Sequence, residues 1–223
     1  MTYVISDIHG DYEKFKKLLC EINFKESDVM YVLGDILDFG DAPIELLCDL
    51  SMRYNVLPVL GECEYNALKL LGKLDRMLSG ETPDPEVLSE MAEWMQNGGK
   101  STIEGFKALD ADMREGVLDY LTDMAIFEDV TVNGKTYLLI HSGIADFDPE
   151  ISPDEYMPED FISTPLDPNK SYYENITIIV GHNPTESGKI VYGETSIHLD
   201  CGVANGGSLG CLRLEDGKEF YIA

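Results

Sequence analysis

The 223-residue chain carries 42 acidic against 16 basic residues, a formal net charge of -26, which repels polyphosphate backbones and excludes nucleic acid as a partner. Apolar residues make up 44% and charged residues 26%, a globular composition that excludes intrinsic disorder. No run approaches the roughly 20 apolar residues of a membrane span, so membrane partners are excluded as well and one domain, residues 1–223, is expected.

The N-terminus, MTYVISDIHG, enters a strand pattern at once without a basic leader, so a cytoplasmic location is expected. Residues 3–5 form a short apolar run that stops before Asp7 and His9, and residues 29–33 do the same before Gly34 and Asp35. Further runs at 56–60, 137–140 and 176–180 end at Gly61-Glu62, at His141 and at Gly181-His182. Five predicted buried strands thus deliver a potential ligand at their C-terminal ends, where loops of α/β sheets converge on one crevice.

Between them lie helical patterns. Tyr12, Phe15, Leu18, Leu19 and Ile22 recur at helical spacing, Pro43 opens a segment with Ile44, Leu47 and Leu50 on one face, and Leu68, Leu71 and Leu74 mark a third. Residues 64–124 read as a helical cap within the domain: Pro85 stands near a start, Asn97-Gly98-Gly99 is a break, and one helix is predicted over 106–124. Residues 145–171, rich in Pro and Asp, are too long for a simple connector and are expected to lie over the crevice. The runs 189–192, 196–199, 209–214 and 219–222 predict an antiparallel meander. Alternation of strand and helix gives an α/β class.

Asp7-x-His9 joins a carboxylate to an imidazole, a pair suited to Mn, Fe or Zn rather than Ca. Alone, such a pair is ordinarily a capping Asp beside a surface His. Asp35 follows a glycine and is a carboxylate able to bridge two cations. Of four histidines, three (His9, His141 and His182) occupy strand-end loops, while His198 lies in an alternating strand pattern and reads as a strand residue. The five cysteines, Cys20, Cys48, Cys63, Cys201 and Cys211, form no C-x-x-C pair, so neither a disulfide framework nor a zinc knuckle is implied. Four of the five are expected to be buried small hydrophobes.

The order Asp-x-His-Gly, Gly-Asp-x-x-Asp-x-Gly, Gly-x-x-Glu, His-x-Gly and Gly-His resembles the calcineurin-like metallophosphoesterases, in particular the serine/threonine phosphoprotein phosphatase family and its bacterial branch. Asn97-Gly98-Gly99 with Thr102, and Leu199-Asp200-Cys201-Gly202, resemble the bacterial members that include protein phosphatases and symmetrical dinucleoside tetraphosphatases. The resemblance implies two mixed β-sheets sandwiched by helices and two divalent metal ions, Mn, Fe or Zn. By position, Asp7, His9 and Asp35 would hold the first ion, and Asp35, Glu62, His141 and His182 the second. A water bridging them would attack phosphorus in line.

Three departures qualify that expectation. Glu62 stands where the family has Asn, adding a third carboxylate. Cys63 stands where it has the histidine that protonates the leaving group, which leaves Asp38, that histidine's orienting partner, without its own. Phe39 stands where it has a phosphate-gripping arginine, and no arginine lies between His141 and His182. Lys100, Lys107 and Arg53 are candidates to compensate, though each reads first as a solvated surface cation. A nucleophilic Cys63 is disfavoured because no amide loop with a following arginine surrounds it.

The expected function is metal-dependent hydrolysis of phosphomonoesters, on a phosphorylated protein or a small phosphate ester, with Asp38 and Cys63 as the altered catalytic pair and reduced or changed activity. The alternatives are a dinucleoside tetraphosphate hydrolase, whose better leaving group tolerates loss of the acid, and an inactive metal-binding regulatory relative.

Overall fold

The computed structural model describes residues 1–223. In chain order the elements are β1 (Thr2–Ile5), α1 (Tyr12–Glu21), β2 (Val29–Val32), α2 (Pro43–Ser51), β3 (Val56–Pro58), α3 (Glu62–Leu78), α4 (Pro85–Trp94), α5 (Lys100–Ala108), α6 (Ala111–Thr122), β4 (Phe127–Val132), β5 (Lys135–Ile140), β6 (Ile176–Val180), β7 (Val191–Tyr192), β8 (Ser196–His198), β9 (Leu209–Arg213) and β10 (Lys218–Ile222). They build two five-stranded mixed sheets, ordered β10-β9-β1-β2-β3 and β4-β5-β6-β8-β7. The α/β sandwich expected from the sequence is the observed architecture.

Each sheet contains three adjacent parallel strands, β1-β2-β3 running to one edge of the first and β5-β6-β8 in the middle of the second. In β1, alternation sends Tyr3 and Ile5 into the core beneath the helices and Val4 into the layer between the sheets, where it joins Leu33, Val59, Leu139 and Ile179. In β5, Leu139 faces that same layer while Leu138 and Ile140 face outward. The helices cover the first sheet. The outer face of the second is covered by the 145–171 segment, whose Phe161 and Leu166 pack on Leu138, Ile140, Ile178 and Val180.

That packing corrects one expectation. No residue of 145–171 lines the large cleft beside the metal-ligand loops; the segment's apolar side chains commit it to the sheet. Nor is 106–124 one helix. Leu109 is extended and Asp110 accepts a hydrogen bond from the Met113 amide at 2.9 Å, capping α6 and so ending α5. The four C-terminal runs form strands but no single meander: β7 pairs with β8 in one sheet, β9 with β10 in the other. The hairpin of β4 and β5 was foreshadowed only by Asn133-Gly134, both at positive φ (50° and 79°), the arrangement a two-residue turn requires. Three cysteines, Cys63, Cys201 and Cys211, are buried where four were expected; Cys48 is half-buried and Cys20 exposed.

Candidate metal centre

The C-terminal ends of β1, β2 and β3 in one sheet and of β5 and β6 in the other point into the same region. The loops after β2 and β3 pass so closely that a Cβ on Gly34, itself at φ +73°, would lie 2.4 Å from Gly61 Cα. Only glycine allows that crossing, and it brings Asp35 and Glu62 to one site. Of nine non-glycine residues at positive φ, six (Asp7, His9, Asp35, Asp38, Phe39 and His182) belong to these loops. Such strain persists where surrounding contacts dictate it, and it gathers at functional sites.

Asp35 lies between imidazoles. Its Oδ2 is 3.8 Å from His9 Nε2 and its Oδ1 is 3.5 Å from His141 Nε2. His9 Nε2 also lies 3.9 Å from Asp7 Oδ1. The rings are aimed from behind: His141 Nδ1–H donates to the Leu33 carbonyl at 2.7 Å and His9 Nδ1–H to the Leu37 carbonyl at 3.3 Å, which turns both Nε2 atoms inward. His141 Nε2 and His182 Nδ1 face each other at 3.1 Å. The His182 amide donates to Asp7 at 3.0 Å.

Asp7 and Asp35 are buried, and their ion-pair contacts are to imidazoles alone, with no Lys or Arg within reach. Burial, then the charges of Asp200 and Asp35, push the Asp7 carboxyl well up. Burial also pushes Asp35 up, but His141 and His9 outweigh it and hold that carboxyl below its ordinary value. Burial and then His141 push His182 down, which keeps its ring neutral and able to ligate. Buried carboxylates facing imidazole nitrogens that their backbone hydrogen bonds turn inward form a donor set that fits divalent transition metals, so these residues fit the ions the sequence implies.

Glu62 stands on the rim. Its carboxylate is 4.0 Å from His182 Nδ1 and its side chain is 45% exposed, half in reach of the site and half in solvent. Cys63, by contrast, is buried, its amide donates to Asp35 Oδ1 at 2.9 Å, and its thiol falls within one donor cluster with His9 and Asp35. Burial, then Asp35, Asp38 and Glu64, push that thiol well above its ordinary pKa, making it a weak acid.

Asp38 is not left without partners. Trp94 Nε1–H donates to it at 2.7 Å and the Thr102 hydroxyl at 2.6 Å, so both oxygens are occupied where an orphan was expected. Glu64, the acidic residue of the Gly-x-x-Glu motif and not among the expected site residues, is fully buried and accepts from four amides: Asp35 and Gly61 on one oxygen, Ile36 and Leu37 on the other. Its position three residues after the N-cap Gly61, from which its carboxylate reaches back to the Gly61 amide at 3.1 Å, was the available signal. Asp200, quoted within a motif but not as a site residue, is buried and lines the cleft beside His9. His198 hydrogen-bonds Ser196 within β8 and takes no part.

The ligand loops open into a cleft of about 810 Å³, floored by His9, Asp35 and Cys63 and walled by Phe39, Trp94 and Asn97. Its cations are Lys69 and Lys73 on α3, in a stripe with Glu62 and Asn66 at helical spacing. Lys73 is paired with Glu90 of α4 at 3.2 Å. The compensating cations suggested by the sequence are elsewhere: Arg53 is bound to Asp49 and Lys100 to Glu104, and neither they nor Lys107 line the cleft.

Comparison with known proteins follows the same lines. A family profile described as calcineurin-like phosphoesterase matches residues 2–206. A symmetrical bis(5'-nucleosyl)-tetraphosphatase of Wigglesworthia glossinidia brevipalpis is 35% identical over 77 residues, 34% of this chain and 28% of that protein. One of Shewanella loihica is 29% identical over 102 residues, 43% of this chain and 37% of its own. The chain thus spans well under half the length of these relatives. A crystal structure provisionally described as a diadenosine tetraphosphatase superposes with TM-score 0.69 at 19% identity, covering 99% of this chain and 92% of that one. Ligand loops, fold and profile agree, and the chain belongs to the calcineurin-like phosphoesterases.

Proposed function

We propose that the protein is a metal-dependent hydrolase of nucleotide phosphoanhydrides, with dinucleoside tetraphosphates as its substrate class. The observation that carries this reading is Cys63: the position of a proton donor holds a buried thiol whose pKa is driven upward by burial and three carboxylates. A phosphoserine ester would leave as an alkoxide and needs a proton delivered. A nucleoside diphosphate leaves through a phosphate oxygen, whose second pKa is about 6, and needs none. The relatives named as tetraphosphatases support the same choice over a phosphomonoester.

Asp7, His9 and Asp35 would hold one divalent cation, and Asp35, His141, His182 and the rim carboxylate Glu62 a second. When bound, such cations supply Lewis acidity toward phosphoryl oxygens and lower the pKa of water. The chain's own side chains orient the rest. His141 and His9 are fixed by the Leu33 and Leu37 carbonyls, Glu64 fixes the loop carrying Asp35, and Asp38 is a positioning residue that ties this loop to α4 and α5 through Trp94 and Thr102. Lys69 and Lys73 line the cleft along α3, where they would meet a phosphate chain.

The test is product analysis. Protein loaded with Mn is incubated with diadenosine tetraphosphate and the nucleotides are separated by chromatography. ADP as the sole product is expected. Unconsumed substrate, or AMP with ATP, contradicts the reading.

A further inference from the structure

Phe39 occupies the position of a lost phosphate clamp, and the fold holds its ring in place instead of burying it. The residue sits at φ +62°, a left-handed conformation costly for a bulky side chain, and its neighbour Asp38 is at φ +68°. Its amide donates to the Gly98 carbonyl at 2.9 Å. A Cβ on Gly98, at φ +112°, would lie 2.7 Å from the Phe39 ring, so glycine is what leaves room for the ring there. On the inner side the ring meets His9 edge to face, centroids 5.0 Å apart and planes at 88°.

The ring remains 53% exposed. It forms part of the wall of two cavities, the 810 Å³ cleft and a second of about 390 Å³ bounded by Gly10, Asp11, Tyr12 and Asp41, and both cavities include His9. Asn97, adjacent to Gly98, adds a side-chain amide to the same wall. An apolar ring held by strained backbone at the edge of an acidic site, half in solvent, gains little from folding. It is preorganised for a planar partner.

We infer that Phe39 forms an aromatic subsite beside the metal centre, which stacks the planar ring carried by a phosphate substrate. The subsite replaces a charged grip on phosphate by recognition of the group attached to it. Two sources share that chemistry, a nucleobase and the aryl group of an aryl phosphate. The inference shares with the proposed function only the placing of phosphate at the metal centre, and it stands or falls on binding.

The test is titration calorimetry of Mn-loaded protein with AMP, phenyl phosphate and ribose 5-phosphate, repeated on Phe39→Ala and Phe39→Trp. The subsite predicts that at least one ring-bearing ligand binds about tenfold tighter than ribose 5-phosphate, that Phe39→Ala removes this preference, and that Phe39→Trp retains it. Preference for AMP assigns the subsite to a nucleobase. Preference for phenyl phosphate alone assigns it to an aryl ester and removes the nucleotide reading while the subsite stands. Equal binding of all three ligands, or a preference that survives in Phe39→Ala, overturns the inference whatever the hydrolysis assay shows.

Discussion

Five carboxylates, Asp7, Asp35, Asp38, Glu64 and Asp200, are buried around one point, and each must be solvated by something other than water. Asp38 is served by Trp94 and Thr102, Asp200 by the Gly202 amide at 2.8 Å, and Glu64 by four amides. Asp7 and Asp35 lie within 4 Å of imidazole nitrogens and accept single amides, and it is the imidazoles that mark them as candidate ligands. Glu64 is the most consequential of the structural ones. Burial and the charge of Asp35 push its carboxyl up to about 8 even against its four donors. Glu64→Ala would orphan those buried amides at a cost of at least about 3 kcal/mol, so urea denaturation should show the midpoint fall by that equivalent; a loss below about 1 kcal/mol would contradict the clamp. The gathering of the candidate ligands at strand ends was legible in the sequence because each follows an apolar run. Lys69, Lys73 and the partners of Asp38 were not, because nothing local to residues 38, 69 or 73 reveals which helix lies opposite.

Among the elements, α1 shows how a strand-end loop is turned into a helix. Asp11 accepts from the Lys14 amide at 3.0 Å and from its ammonium at 2.6 Å, fixing the chain directly after the candidate ligands Asp7 and His9. Burial pushes the Asp11 carboxyl up, but the Lys14 hydrogen bonds outweigh it and the net shift is downward. A lowered folded-state pKa means stability that is present above the unfolded value near 3.8 and lost as pH falls through the lower folded value. Asp11→Ala should therefore cost about 1 kcal/mol at neutral pH, with the gap to wild type closing below about pH 3.8, read by denaturation at several pH values. A gap that is constant with pH would refute the charged cap. Element types were legible from periodicity, whereas the break at Leu109-Asp110 and the sharing of the last four strands between two sheets were not. Which sheet a short strand joins depends on partners far away in sequence.

For the whole molecule, the net charge of -26 and a carboxylate-lined cleft make the metal-free protein self-repelling. Divalent cations bound only by the folded state should stabilise it by about 2.7 kcal/mol at a hundredfold excess over Kd, a rise of about 5 to 10 °C in Tm for a chain of this size. Differential scanning fluorimetry with Mn should show that rise in wild type and most of it lost in His141→Ala; equal rises in both would move the ions elsewhere. The family was legible from loops spread over the whole chain, while its chemistry turned on three positions, Phe39, Glu62 and Cys63. The central claim is that this centre works without a positioned acid and so favours anhydrides. It is tested most directly by kcat/KM for diadenosine tetraphosphate against a phosphoserine peptide, in wild type and in Glu62→Asn with Cys63→His. Wild type should prefer the tetraphosphate by at least about a hundredfold, and the double variant should gain about 10² to 10⁴ on the peptide. Wild type that turns over the peptide as well as the tetraphosphate, or neither substrate until both residues are replaced, would contradict it.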